Sequence, residues 1–387
     1  MSDIRVDVEG LWDLLLSLLR IPSPSGYTDH IVHHVVELLA PLGCRVEVTR
    51  RGAIRACFEG RRGSPARALV GHLDTTGAIV TALKDNGRLA LAPIGTWSSR
   101  FAEGARVTVF SESGPARASV LPLKASGHIF NEEVDSQPNA WSQVEARVDL
   151  PLSTREDLQR AGFHVGDFVA FDSAPEVTES GFVVGRHLDD KAGVVAMIAG
   201  ARAALATGRE LPIETRLLFT ITEEVGSGAS AVLHGDVAEM VAVDNSTPGP
   251  GQHSIEDGVT VAMADSSGPF DYHLTRRLID LARRHGIRHE RDVFRYYRCD
   301  AASAIEAGND LRTALLGVGV DASHGHERTH VDSIRATAEL VAAYMLSPAL
   351  FERDREALAP LGDFADQPTP PPPGEAVVPD TLPEGQV

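Results

Sequence analysis

Cysteine is scarce. Three occur in 387 residues (Cys44, Cys57 and Cys299), far apart and without a CxxC pair. That argues against a disulfide framework or a thiolate zinc site, and it fits a reducing cytoplasm. Long apolar runs are also missing. Nothing approaches the roughly 18 apolar residues of a membrane-spanning helix. "LWDLLLSLL" near the start is short and carries Asp13. It lacks the basic flank and cleavage site of a signal peptide, so it reads as an amphipathic surface helix. Positive charge is in deficit, with 36 Lys and Arg against 54 Asp and Glu and a net charge of −18. Nucleic acid and anionic membrane are therefore poor partners. No internal repeat is visible. What remains is an ordinary globular mixture, 43% apolar and 23% charged, long enough for two domains.

Apolar spacing predicts helices on either side of "IPSPSGYTD" within residues 8–43. "RVEVTRRGAIRACFEG" alternates like two strands turning near Gly52, and "RALVGHLDT" reads as a buried strand. From about residue 77 to 182 the chain changes to short alternating runs broken by glycine and proline. "DNG" and "ESG" are hairpin-like turns there. This predicts a small inserted β-barrel domain. From residue 183 strands and helices alternate again, which predicts an α/β fold with a mostly parallel central sheet flanked by helices. The α/β domain is expected over 1–76 and 183–350, discontinuous around the insertion at 77–182. Residues 363–387 hold seven of the 23 prolines and read as a disordered tail.

Five places put hard or borderline ligands at the ends of apolar strands. They are His72 with Asp74, Asp189-Asp190, Glu223-Glu224, Asp244, and "SHGHERTH" from Ser323 to His330. Each has a plain alternative: a structural pair, a helix cap or a turn. Together they suggest one crevice, because the carboxyl ends of parallel strands gather on one side of the sheet. Carboxylates and imidazoles without thiolates suit zinc, cobalt or manganese. Several carboxylates call for two divalent ions, since one would leave repulsion uncompensated. Of two adjacent glutamates in "TITEEVGSGAS", one can bind metal while the other takes a proton from water. Gly226 and Gly228 allow the bend that would put both on one side.

This ordered set resembles the glutamyl aminopeptidase family, which includes the tetrahedral and deblocking aminopeptidases, dimetal exopeptidases of clan MH. The likeness runs from about residue 10 to 347. It is carried by "GHLD", "GRHLDDKAGV", "TEEVGSGA" and "CDAASAIEAG". "APIGTWSSRFAEGARVTVF", "RDVFRYYR" and "VDASHGHERTH" are similar to a subgroup that accompanies genes for the osmoprotectant N-acetylglutaminylglutamine amide.

The resemblance implies a metallo-aminopeptidase acting on small peptides. His72 and Asp244 would complete one metal site, and Glu224 with a late histidine the other. Asp189 would bridge them, Glu223 would be the general base, and Asp74 would orient His72. His324 is chosen as the last ligand because Glu327 follows three residues later; His326 and His330 remain open. The resemblance also implies a homo-oligomer, commonly a twelve-subunit tetrahedron built through the β domain. Two departures stand out. Lys191 follows the aspartate pair where arginine is usual, and "SHGHER" lacks the usual tyrosine-rich approach. The alternative functional reading is a deacylase or amidase acting on an N-acylated dipeptide amide. A non-catalytic assembly subunit fits the complete ligand set poorly.

Overall fold

Two amphipathic helices open the chain, α1 (Val8–Leu19) and α2 (Asp29–Leu39). In α1, Leu11, Leu14, Leu15 and Leu18 recur at helical spacing and are buried, while the Asp7 side chain caps the Gly10 N–H. The computed structural model describes residues 4–368 apart from 234 and 236. The Pro-rich tail expected over 363–387 lies outside the described residues from 369 onward.

Strands β1 (Arg45–Val48), β2 (Ile54–Phe58) and β3 (Ala66–His72) follow. The chain then enters β4 (Gly77–Leu83), β5 (Leu89–Ile94), β6 (Arg106–Ser111), β7 (Gly114–Pro122), β8 (Val144–Val148) and β9 (Phe168–Phe171). These six close into a barrel in the order β4-β5-β8-β7-β6-β9. Short helices α3 (Gly127–Phe130) and α4 (Arg155–Arg160) lie in its connections. Val80, Leu89, Val107, Val120 and Val169 fill its interior. Its first hairpin turns at Gly87, whose φ of +70° a side-chain-bearing residue adopts only with strain.

After the barrel, β10 (Glu176–Val177) and β11 (Phe182–Gly185) lead into α5 (Leu188–Ala206). Next come β12 (Thr215–Thr220), β13 (Val237–Ser246), β14 (Val259–Asp265) and β15 (Gly268–Pro269). Helix α6 (Tyr272–His285), β16 (His289–Val293) and α7 (Asp300–Glu306) follow. The last regular elements that bear on the site are β17 (Arg312–Gly319), β18 (Glu327–His330) and α8 (Val331–Met345).

The large sheet has nine strands in the order β1-β2-β12-β3-β13-β17-β14-β15, with β16 beside β14. Its centre, β12-β3-β13-β17, is parallel, as the sequence pattern implied. The flanking pairs β1-β2, β2-β12 and β17-β14 are antiparallel, so the sheet is mixed. Strands β3 and β12 are buried at every position, the signature of strands covered on both faces. Helix α5 lies against β3 and β13 and packs on α1 and α8. At that contact a Cβ on Gly200 would come within 2.7 Å of the Ala338 carbonyl oxygen, so only glycine allows the approach. Strand β11 leaves the barrel and pairs with β18 in a separate three-stranded sheet. Among the described residues, no helix is long and apolar enough to cross a membrane.

Candidate metal centre

Four parallel strands end at one crevice, and each delivers chemistry there. His72 is the last residue of β3, and Asp244 lies near the end of β13. Glu223 and Glu224 follow β12, and Ser323 and His324 follow β17. Asp189 and Asp190 open α5, where their backbone departs from helical geometry across a cis peptide. All five expected ligands converge. His72 Nε2 lies 3.1 Å from Asp189 Oδ1 and 3.9 Å from Asp244 Oδ1. His324 Nε2 lies 3.2 Å from Glu224 Oε2 and 3.4 Å from Asp189 Oδ2. Asp189 thus stands between the two imidazoles. Glu223 Oε2 is 3.9 Å from His72 Nε2.

The imidazoles share one arrangement. His72 Nδ1 meets the carbonyl oxygen of Asp74 at 2.8 Å, and His324 Nδ1 meets that of Thr96 at 3.0 Å. A carbonyl can only accept, so each Nδ1 carries the proton. In the neutral ring each Nε2 then points a lone pair at carboxylate oxygens. Lone pair against lone pair is tolerable only with a positive charge between them. The donor atoms of His72, Asp189 and Glu224, and those of His72, Asp190 and Asp244, lie within 4.8 Å of one another. This donor set fits divalent cations of the zinc, cobalt or manganese kind.

The electrostatics agree. Burial raises the Asp244 carboxyl to about 7, helped by the charge of Asp189. Burial likewise pushes Glu223 well above the usual carboxylate range, with Asp244, Asp300 and Glu224 adding to it. Burial pulls the His324 imidazole down, yet Glu224 and Asp189 drive it up to about 12. Both trends express surplus negative charge in a dry pocket.

The supporting contacts are mostly between distant segments. Asp74 was expected behind His72, and its carbonyl oxygen does hold that ring. Its carboxylate lies 3.7 Å from His72 Nδ1 and also accepts the backbone N–H groups of Glu223 at 3.1 Å and Glu224 at 3.3 Å, and the Ser25 hydroxyl at 2.5 Å. Glu327 accepts the Leu188 N–H at 2.6 Å and the His324 N–H at 2.9 Å, fixing both approaches to Asp189. Asn245 and Ser323 donate to Asp189 Oδ2 at 2.7 and 2.9 Å. Of the other late histidines, His330 Nε2 meets the Ser180 carbonyl oxygen and caps α8, away from the cluster. His326 makes no contact with the cluster among the described residues, and burial lowers its pKa. Lys191 is buried and donates to the Ile21 carbonyl at 2.7 Å, tying α5 to the segment after α1.

Asn245, Ser323, Thr76 and Tyr297 were given no role from the sequence. Thr76 donates its N–H to Glu224 Oε1 at 3.0 Å. Asp300, in the "CDAASAIEAG" stretch, accepts from Thr220 Oγ1 at 2.6 Å and from the Ala229 N–H at 2.8 Å. It braces the start of the Glu223-Glu224 loop. The cluster opens onto a cavity of about 970 Å³, roomy for a short peptide. Gly95 and Thr96, the segment 294–298, and Ala322 to His324 all line it. These come from the stretches "APIGTWSSRFAEGARVTVF", "RDVFRYYR" and "VDASHGHERTH".

Comparison with known proteins identifies the family and the fold. The family model described as M42 glutamyl aminopeptidase matches residues 52–340. A putative aminopeptidase, YhfE, of Bacillus subtilis is 36% identical over 349 residues, covering 90% of this chain and 99% of that protein. Among solved structures, a TET aminopeptidase from a marine sediment Thaumarchaeota archaeon superposes with a TM-score of 0.79 at 20% identity, covering 87% of this chain and 97% of that one. The Pyrococcus horikoshii TET1 peptidase, described as assembling into a tetrahedron or a large octahedral shell, gives 0.77 at 22% identity, covering 87% and 99%. At these identities the superpositions establish the fold.

Proposed function

The chain belongs to the M42 glutamyl aminopeptidase family, and on that premise we propose that it removes amino-terminal residues from short peptides by metal-assisted amide hydrolysis. It is a metallo-aminopeptidase-type hydrolase. The observation that carries the mechanism is the meeting of His72, His324, Asp244 and Glu224 around Asp189, with Glu223 beside them in one cavity. His72 and Asp244 would hold one divalent ion, Glu224 and His324 the other, with Asp189 shared. When bound, the ions supply Lewis-acid activation of water and of the scissile carbonyl.

The chain's own groups do the rest. Glu223 takes the proton of the attacking water and passes it to the leaving amine. Burial and neighbouring negative charge raise its affinity for a proton, which strengthens it as the acceptor of the water's proton. Asp74 holds the Glu223-Glu224 turn, so the base cannot drift. The surplus of carboxylates attracts the ammonium of a free amino end.

The likeness to the osmoprotectant-linked subgroup directs the natural substrate towards a short glutamine-containing peptide amide. The discontinuous domain 1–76 with 183–350 would carry catalysis, and the insertion 77–182 would mediate assembly into a homo-oligomer, as its TET neighbours assemble. The test is to assay free and N-acetylated glutaminylglutamine amide side by side, with metal content measured. Release of glutamine from the free form alone is expected. Cleavage of the acetylated form alone would replace this reading with the deacylase one. A monomer by light scattering would remove the assembly proposal.

A further inference from the structure

One polar group in the cavity has no role in the arrangement above. Tyr297 lies between β16 and α7, and its backbone is pinned at both ends of its loop. The Ser266 N–H donates to the Tyr297 carbonyl at 2.9 Å, and the Phe294 N–H donates to the Ala264 carbonyl at 3.0 Å. The buried Phe294 ring meets the Tyr297 ring edge to face at 5.3 Å. Arg298, one residue on, is held by Glu306 at 2.7 Å. The phenol is therefore aimed by its surroundings.

Its hydroxyl oxygen is buried and makes no well-formed hydrogen bond, although the Asp244 carboxylate is close enough to draw weakly on its proton. Among the described residues it is the one buried side-chain oxygen or nitrogen without a well-formed hydrogen bond that belongs to a residue lining the cavity. Asp244, Asp189 and Glu223 are near enough to act on it electrostatically, so it stands at the reacting centre. Leaving a hydroxyl dry and poorly matched is unfavourable, and phenylalanine would fill the same space without that loss. The oxygen is accounted for if a ligand supplies an acceptor better placed than Asp244.

We propose that the Tyr297 hydroxyl donates a hydrogen bond to the scissile carbonyl oxygen as negative charge gathers on it. The inference rests on the aminopeptidase reading and adds a catalytic residue to it. A phenol keeps its proton near neutral pH, so it is a donor there. The ammonium of the substrate offers only donors and is already served by carboxylates. The carbonyl oxygen is the substrate atom beside the ligands that needs a donor, and its need grows towards the tetrahedral state. Donors fixed in a dry site where charge develops are the most effective kind.

The test is Y297F, which removes one oxygen. The metal-loaded variant should lose about 10²-fold in kcat, the scale of losing one such donor, with KM within about twofold. A second readout does not depend on turnover. Calorimetric affinity for a phosphinic dipeptide analogue, which mimics the tetrahedral state, should fall by a similar factor, while affinity for the product amino acid stays level. Unchanged kcat overturns the proposal. So does equal weakening of both ligands, or a loss of bound metal in step with activity, which would assign the phenol to supporting Asp244. A wild-type protein that cleaves no peptide defeats the aminopeptidase reading and this inference together. A wild type that cleaves, with Y297F its equal, defeats this inference alone.

Discussion

The Asp74 carboxylate grips the backbone of Glu223, accepting its N–H at 3.1 Å and that of Glu224 at 3.3 Å. The same residue turns its carbonyl oxygen to His72 Nδ1 at 2.8 Å. One side chain and its own backbone thus set the ring on β3 and the two-glutamate turn after β12. Asp74→Asn keeps the carbonyl contact but weakens the grip on two N–H groups. Activity should fall about 10–100-fold, the scale seen for groups that orient metal ligands. Steady-state kinetics with metal content measured in parallel checks it; full activity would show that the turn needs no such clamp.

Glu223→Gln should lose about 10²–10⁴-fold in kcat while keeping the shape of the site. The metal content should stay at the wild-type level, because the proposed ligands are untouched. If Glu223→Gln instead loses its metal, Glu223 is a ligand and the base lies elsewhere.

Removing divalent ions should abolish activity and lower the melting temperature. A cation at a hundred times its dissociation constant stabilises the native state by about 2.7 kcal/mol. Zinc, cobalt and manganese added back to chelator-treated protein should restore both properties, and scanning fluorimetry with activity assays follows them. His72→Ala and His324→Ala should each reduce bound metal. A melting temperature indifferent to chelator and to all three ions would contradict a metal centre here.

The parts of the site legible in the sequence were those at strand ends. Parallel strands covered on both faces must be apolar throughout, so His72, Asp244 and the Glu223-Glu224 pair stand out as polar groups at the ends of such runs. Asp189 was legible from its place before a long helix. The roles of Asn245 and Ser323 were not, because their shared partner Asp189 lies far away in the chain and only folding brings them together. Tyr297 meets the site from a loop with no apolar run to mark it. Strand β18 was hidden for a related reason: Glu327 to His330 is polar, and it pairs with β11 only because the chain returns beside the barrel exit. The antiparallel sheet edges also left no trace, since buried strands look alike in either direction.

At the opposite end of the sheet, Glu239 should govern stability and leave catalysis alone. Arg67 is fully buried and pairs with Glu239 at 3.1 Å. Tyr344 donates its hydroxyl to the other Glu239 oxygen at 2.9 Å, and the guanidinium also reaches Ser347 Oγ and the carbonyls of Tyr344 and Pro348. This knot ties β3 and β13 to the end of α8. Glu239→Ala strands a buried cation and should cost about 3–5 kcal/mol, read from urea denaturation. Glu239→Gln keeps an acceptor and the volume, so about 1–3 kcal/mol is expected. Arg67 lies five residues before His72 on one extended strand, roughly 16 Å away at 3.3 Å per residue. Activity per folded molecule should therefore be unchanged in Glu239→Gln. A fall in kcat without a fall in stability would mean that the two ends of β3 are coupled, and that the knot serves the site as well as the fold.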